Sequence, residues 1–497
     1  MNLRAQAFSA GRWTSASLLL RALLQFAQTM ILARLLTPAD FGVMAITLAV
    51  YGVISLFVDL GLSNALIHFP ERTARILSSL YWLNLGAALI MMLLLMIAAW
   101  PLAKFYDQSE LIPVILLISL AMPLSAAGQQ FRVLAEKDLR FHTLAGIEVA
   151  SAIAGFACAI LVAMLDGGVY SLVAAIVTTS AISSLLAWAC LSKGLRPGFH
   201  FNLQEIKPHL GFGSYRLADT LLISAQMQVD ILIGGAVAGS AAMGVYTLPR
   251  DLTLRLANTV VNPVVTRVGL PIMARVQADR SALKSIYLQT MRLTSSINFP
   301  IYAATALWAE LIVAVVLGPQ WHEAVDFMRV FAIWGLLRST ANPVGSLLNA
   351  TGNVRRAFWW DLALLAIVPA LMYLGAFAAD LHGLAISLLL VQCAAFYPHY
   401  RFLVRPACGA TFLEYVGALA PPMICTTFAV AAAWAAMALP IGQVYILAGT
   451  SMAVGACVYL VGSTLINKAW LRAMMELLSP LRRSPNAQRS VTPDHME

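Results

Sequence analysis

Charge is scarce in this chain. Asp, Glu, Lys and Arg make up 11% of its 497 residues, against about a quarter in an ordinary soluble domain. Cysteine is scarcer still: Cys158, Cys190, Cys393, Cys408, Cys425 and Cys457 stand singly, mostly inside apolar stretches, with no CxxC pair and no histidine at metal spacing. A disulfide framework or zinc site is therefore not expected, and these residues read as small core side chains. There is no P-loop, HExxH or nucleophile elbow. The expectation is a protein that is not an enzyme and carries no cofactor or metal.

Hydrocarbon is what the chain has instead. Sixty per cent of its residues are hydrophobic and the mean hydropathy is +0.79. Runs such as Leu85 to Trp100 and Leu384 to Phe396 must satisfy their backbone polar groups internally if lipid surrounds them, which means helices. Barrel strands would be shorter and would alternate in polarity. The first apolar stretch, Trp13 to Leu36, carries Arg21 at its middle, is too long for a signal h-region and lacks a small-residue cleavage site, so it is expected to stay.

At about 20 apolar residues per crossing, fourteen spans are expected. They lie near 13–35, 41–65, 78–102, 110–131, 142–165, 168–191, 211–237, 243–268, 293–317, 327–350, 357–378, 383–403, 413–438 and 443–466. The connections alternate in charge. One set, which includes Arg72 and Arg75, Arg132 to Arg140, Lys193 to Lys207, Arg275 to Arg292, Arg355 and Arg356, Arg401 and Arg405, and the two termini, holds 23 of the 32 basic residues. The other set is short and acidic or neutral, as in Thr37 to Asp40, Asp166 to Gly168, Gln320 to Asp326 and Pro440 to Gly442. Positive loops stay cytoplasmic, so both termini should be cytoplasmic. The net charge of +9 is then a topology signal and a contact for membrane lipids, not a nucleic-acid surface.

Residues 13–45 align without a gap on 215–247, an offset of 202 (244 less 42) that places Gly42 and Val43 on Gly244 and Val245, and Ile31 on Ile233. Six spans separate the copies, so both enter the membrane in the same sense, one of the repeat plans of transporters. The expected fold class is an all-α polytopic membrane protein with two pseudo-symmetric six-helix lobes around a central cleft and two additional C-terminal helices. In residues, these are 1–200 and 201–410 for the lobes, 411–470 for the last two spans and 471–497 for a disordered cytoplasmic tail.

Several ionisable groups fall at membrane depth, where an arginine costs about 2.5–3.5 kcal/mol on an insertion scale. Helical spacing gathers them into polar stripes: Thr14, Ser17, Arg21, Gln25 and Gln28; Tyr215, Asp219, Gln226 and Asp230; Asp251, Arg255, Asn258 and Asn262; Arg338, Asn342 and Asn349. Four such stripes imply one hydrated interior. Arg21, Gln25, Gln28, Arg255, Asn258, Arg338 and Asn342 are the expected substrate contacts. A guanidinium suits phosphate because its planar fork donates paired hydrogen bonds and stays protonated. Asp59, Glu148, Arg216, Asp219, Arg250 and Asp251 are the expected gating or coupling groups. Asp251 reads equally well as an i,i+4 partner of Arg255, and Pro263, Pro300, Pro343 and Pro369 as hinges or as tolerated kinks.

The stretch Leu32 to Gly42 (LARLLTPADFG), Phe57 to Leu66 (FVDLGLSNAL), Gly244 to Pro249 (GVYTLP), Leu270-Pro271 with Ala274-Arg275, and Leu317-Gly318 with Trp321 through Pro343 to Leu348 resemble the polysaccharide transporter family. These are the Wzx-type flippases of the multidrug/oligosaccharidyl-lipid/polysaccharide superfamily, and the likeness is greatest to the exopolysaccharide branch of colanic-acid and xanthan-type exporters. The resemblance implies that an undecaprenyl-diphosphate-linked oligosaccharide is flipped across the bacterial inner membrane by alternating access, for exopolysaccharide or lipopolysaccharide biosynthesis. It further implies a proton or sodium ion as coupling partner and the polymerase and export machinery as neighbours. A multidrug/cation antiporter of the same superfamily and a polytopic polymerase are the alternatives. The first would favour an acidic or aromatic cleft, and the second would need large external loops.

Overall fold

The structure is a computed structural model and describes residues 3–59, 66, 73–194, 196–260, 269–440, 443–468 and 470–472. Every regular element among the described residues is helical. In chain order they are α1 (Leu3–Leu35), α2 (Pro38–Asp59), α3 (Ala74–Phe105), α4 (Leu111–Ser119), α5 (Ala121–Lys137), α6 (Phe141–Met164), α7 (Tyr170–Leu191), α8 (Leu203–Val260), α9 (Leu270–Arg275), α10 (Arg280–Leu307), α11 (Ala309–Ile312), α12 (Ala324–Ser339), α13 (Asn342–Ala350), α14 (Val354–His399), α15 (Arg405–Cys408), α16 (Phe412–Ala436) and α17 (Val444–Ile466).

Among the described residues, ten helices are long and apolar enough to cross a bilayer, or eleven when the bent pair Arg280–Leu307 and Ala309–Leu317 is taken as one span. The expected boundaries shift where helix continues into polar sequence: α1 starts before Trp13, and α10 starts at Arg280 instead of 293. Its bend of 77° beyond Leu307 interrupts what the sequence reads as one straight span to 317. Two long helices are broken within. In α8 Gly239 has φ 78° and ψ 179°. In α14 the break falls at Ala379 and Asp380, and a side chain on Gly375 would collide with Ser387 and the Gly383 carbonyl. The two arms of α14 therefore fold back against each other as a hairpin.

The chain forms two compact units. The first comprises residues Met1–Leu252, Glu310–Phe331 and Phe358–Val391; the second comprises Thr253–Ala309, Ala332–Ala357 and Gln392–Glu497. In the first unit α6 packs along both α1 and α7, and α5 along α7. Tyr81, Phe131, Leu144, Ile147 and Leu191 form a core at one end of these helices. In the second unit α16 lies between α10 and α17, where Trp308 donates to Ser451 Oγ at 3.0 Å and Tyr459 to the Ser296 carbonyl at 2.5 Å. Large apolar side chains elsewhere face outward, Ile97 at 73% and Phe377 at 83% exposure among them. Such a surface is stable in hydrocarbon and not in water.

The basic-poor turns of the first unit meet at one end. Thr37 and Asp40 cap α2 reciprocally: Thr37 N–H donates to the Asp40 carboxylate at 2.9 Å and Asp40 N–H to Thr37 Oγ1 at 3.3 Å, a capping box with Pro38 at the first helical position. Gln320 and Trp321 both donate to the Ala33 carbonyl at 2.7 Å, which satisfies an orphan acceptor at the end of α1, and Arg34 donates to the Val315 carbonyl at 2.6 Å. Tyr106 donates to the Leu232 carbonyl at 3.3 Å. The basic connections meet one another in turn: Lys137 donates to the Leu66 carbonyl at 2.6 Å, and Gly198 N–H to Ser78 at 2.9 Å.

The aligned glycines touch. A Cβ on Gly42 would overlap the carbonyl oxygen of Ser240, and one on Gly244 would overlap that of Pro38. Pro38 maps on Ser240 under the same offset of 202 that maps Gly42 on Gly244. The contact is thus reciprocal, the form that two copies take about a twofold axis. Small residues four apart let the two backbones approach this closely.

Candidate functional site

Three groups of charged side chains sit among the apolar helices, and burial separates their roles. On α1 the stripe Ser17, Arg21, Gln25, Gln28 follows helical spacing. Arg21 Nη1 pairs with Glu148 of α6 at 2.9 Å, the two side chains being 43% and 38% exposed. Ser17 Oγ reaches the same carboxylate at 3.5 Å. Gln25 is exposed and Gln28 half-buried. The sequence offers Arg21 no acid one turn away; the fold brings one from a distant helix. Guanidinium carries five N–H donors, and a single carboxylate engages one edge, so Arg21 keeps further donors beyond the Glu148 pair.

The second group is sealed. Arg250 and Asp230, both on α8 on either side of the Gly239 break, pair through Arg250 Nε and Asp230 Oδ2 at 2.5 Å, with side chains 7% and 4% exposed. Arg250 also donates to the Met227 carbonyl, and Tyr246 donates to Asp230 at 3.1 Å. Asp251 joins through Arg250 Nη1 at 3.1 Å, so the pairing of Asp251 with Arg255 read from the i,i+4 spacing is replaced by one with its immediate neighbour. Asp230 lies on a polar stripe but outside the expected contact and gating sets, and Tyr246 lies in neither set. The signal for them is Ser240 beside the Gly239 break, ten residues from each of 230 and 250, which sets the two opposite each other once α8 folds back. Arg250 is buried, and through Asp230 it joins the two arms of α8.

A third set is polar and half-buried. Gln129 donates to Asp59 at 2.7 Å and Arg132 to Ser183 at 2.9 Å. In the second unit Arg255 is exposed, and Arg338 lies over the Trp334 ring at 5.1 Å, a cation–π contact. Asn342 opens α13 with Pro343 behind it. The side chains of Arg216, Asp219 and Asn258, and residues Asn262 and Pro263 altogether, lie outside the described residues. A separate apolar cavity of about 360 Å³ opens among Pro300, Trp308, Thr426, Met452 and Tyr459; its walls offer hydrocarbon and few hydrogen-bonding groups.

Residues 31–326 match a family described as "Polysaccharide biosynthesis protein". The chain belongs to this family. Within the polysaccharide biosynthesis proteins, it is 27% identical over 417 residues to "Lipopolysaccharide biosynthesis protein WzxC" of Escherichia coli (strain K12), covering 84% of each chain. It is 29% identical over 363 residues to "Teichuronic acid biosynthesis protein TuaB" of Bacillus subtilis (strain 168), covering 73% of this chain and 75% of the relative. Among solved structures its fold is similar to "Lipid II flippase MurJ, inward closed conformation", with a TM-score of 0.71 at 11% identity over 94% of this chain and all of that one. The polysaccharide biosynthesis family reading and the many apolar helices agree on a multi-pass membrane protein. They bear out the resemblance read from the LARLLTPADFG and GVYTLP segments.

Proposed function

We propose that this chain flips an undecaprenyl-diphosphate-linked oligosaccharide across the bacterial inner membrane by alternating access, for exopolysaccharide or lipopolysaccharide biosynthesis, and that no bond is broken in the process. The observation that carries the reading is Arg21: a guanidinium midway along an apolar helix, paired by one carboxylate yet 43% exposed. Diphosphate would draw it from Glu148, and Gln25 and Gln28 along the same stripe suit sugar hydroxyls. Arg255 and Arg338 serve as further phosphate contacts, Asn258 and Asn342 as sugar contacts. Asp59, Glu148, Arg216, Asp219, Arg250 and Asp251 act in gating or coupling, Glu148 as the group that receives Arg21 when the substrate leaves.

The relatives support the substrate class, since one is named for lipopolysaccharide and another for teichuronic acid biosynthesis. Replacing Arg21, Arg255 and Arg338 one at a time with Gln should abolish polysaccharide export in a complemented deletion strain while protein abundance stays normal. Full export by all three variants would overturn the assignment.

Fourteen spans with both termini cytoplasmic are part of the same proposal. Ten described spans, among which α8 and α14 each divide into two arms, together with the bent α10 and the pair α12–α13, support the number. Reporter fusions after Ala39 and after Pro440 should both read as external. A cytoplasmic signal from either would break the register.

A further inference from the structure

A concavity of about 450 Å³ in the second unit is lined by Arg280, Ser281, Lys284, Arg405, Cys408 and Gly409. It lies where α10 begins, α15 ends and α16 begins, so three chain segments shape it. Gly409 takes the left-handed conformation, φ 75°, that closes α15. A Cβ there would stand 3.0 Å from Arg280 Nε, so the absence of a side chain lets this guanidinium lie over the wall. Arg280 Nη2 also donates to the Pro406 carbonyl at 3.4 Å, which steadies it.

The acids around the concavity are accounted for. Lys284 pairs with Glu414 of α16 at 2.7 Å. The N–H groups at the start of α10 are taken by Asp279, whose Oδ1 accepts from Ser281 N at 2.9 Å and Ala282 N at 3.1 Å, so the helix terminus itself is not the attraction. Arg280 and Arg405 remain without an acidic partner among the described residues. Two guanidiniums facing one hollow repel each other unless an anion lies between them, and a planar fork prefers phosphate oxygens.

Apolar side chains at the start of α16 and on residues 397–404, which lead into α15, point to what bears that anion. Phe402 is 60% exposed, Phe412 39%, Leu413 83% and Tyr397 55%, and Tyr397 meets Phe412 edge to face at 5.3 Å. Exposed aromatics beside cations at helix ends are the signature of the level where headgroups meet acyl chains. We propose that this hollow is a site for the phosphodiester of an anionic phospholipid, held by Arg280 and Arg405 while Phe402, Phe412 and Leu413 lie against its chains. The site stands apart from the substrate reading, whichever glycan the protein carries.

The test uses the purified full chain in detergent, with bound phosphatidylglycerol counted by native mass spectrometry. Arg280→Gln with Arg405→Gln should lower phosphatidylglycerol retention about 25-fold, in keeping with about fivefold for each cation removed near an anionic lipid, and leave phosphatidylcholine retention unchanged. Glu414→Gln frees Lys284 and should raise phosphatidylglycerol retention several-fold, a gain that a misfolded protein cannot give. Equal retention by the parent and the double variant, or no gain from Glu414→Gln, overturns the proposal. Displacement of the lipid by millimolar inorganic phosphate also overturns it, since the hollow would then serve a free anion.

Discussion

Asp230→Ala is expected to be the most damaging single substitution in the first unit. It leaves Arg250, its side chain 7% exposed, without its buried counter-charge and with only the half-exposed Asp251 carboxylate and backbone acceptors left. Breaking a buried pair in this way costs about 3–5 kcal/mol, a large fraction of the 5–15 kcal/mol that holds a typical protein together. Membrane-integrated protein should fall several-fold, and the thermal midpoint in detergent should drop in step. Asp230→Leu combined with Arg250→Met should recover most of the loss, because exchanging the whole pair for apolar side chains is close to neutral. Tyr246→Phe, which removes one hydrogen bond to a carboxylate, should cost only about 1.5–3 kcal/mol. If Asp230→Ala matches the parent in abundance and midpoint, the pair does not hold the arms of α8 together.

Gly42→Leu and Gly244→Leu should each cost about 3 kcal/mol or more, the upper end for overpacking in a close-packed interior. Each new side chain starts inside a backbone carbonyl on the other helix, and a carbonyl cannot rotate out of the way as a side-chain tip does. The two losses should be similar because the contacts mirror each other. Gly86→Leu is the control, since a Cβ at Gly86 meets nothing within 4 Å, and it should leave abundance unchanged. Equal abundance for Gly244→Leu and Gly86→Leu would mean the two helices are not in backbone contact.

Much of this was legible in the amino-acid sequence, and the remainder fails for identifiable reasons. Thr37-Pro38-Ala39-Asp40 announces a capped helix start through local chemistry alone, and α2 begins at Pro38. The pairing of Gly42 with Gly244 was visible as an identity between two segments, but the cause of the glycines, their meeting across two helices, is a tertiary fact. Hydropathy misplaced the start of α10 because the turns from Arg280 to Arg292 are helical yet polar, and a window tuned to lipid sees only the apolar half. The partner of Arg21 was invisible because local spacing reports only acids on the same helix, whereas Glu148 comes from α6. Depth and stripe therefore nominate the candidate residues, while their division into an exposed arginine and a buried one needs burial, which periodicity does not encode.

The mirrored glycine contact also limits how α2 and α8 can move. With no side chains between them at that point, sliding would drive each carbonyl into the opposite backbone, and rotation about the contact is the freedom that remains. A helix of 22 residues is about 33 Å long, so a swing of about 10° there becomes a displacement of about 6 Å at the far tip. The pinned end would act as a pivot, and α2 as the lever that converts a small angular change into a wide gap at the opposite face.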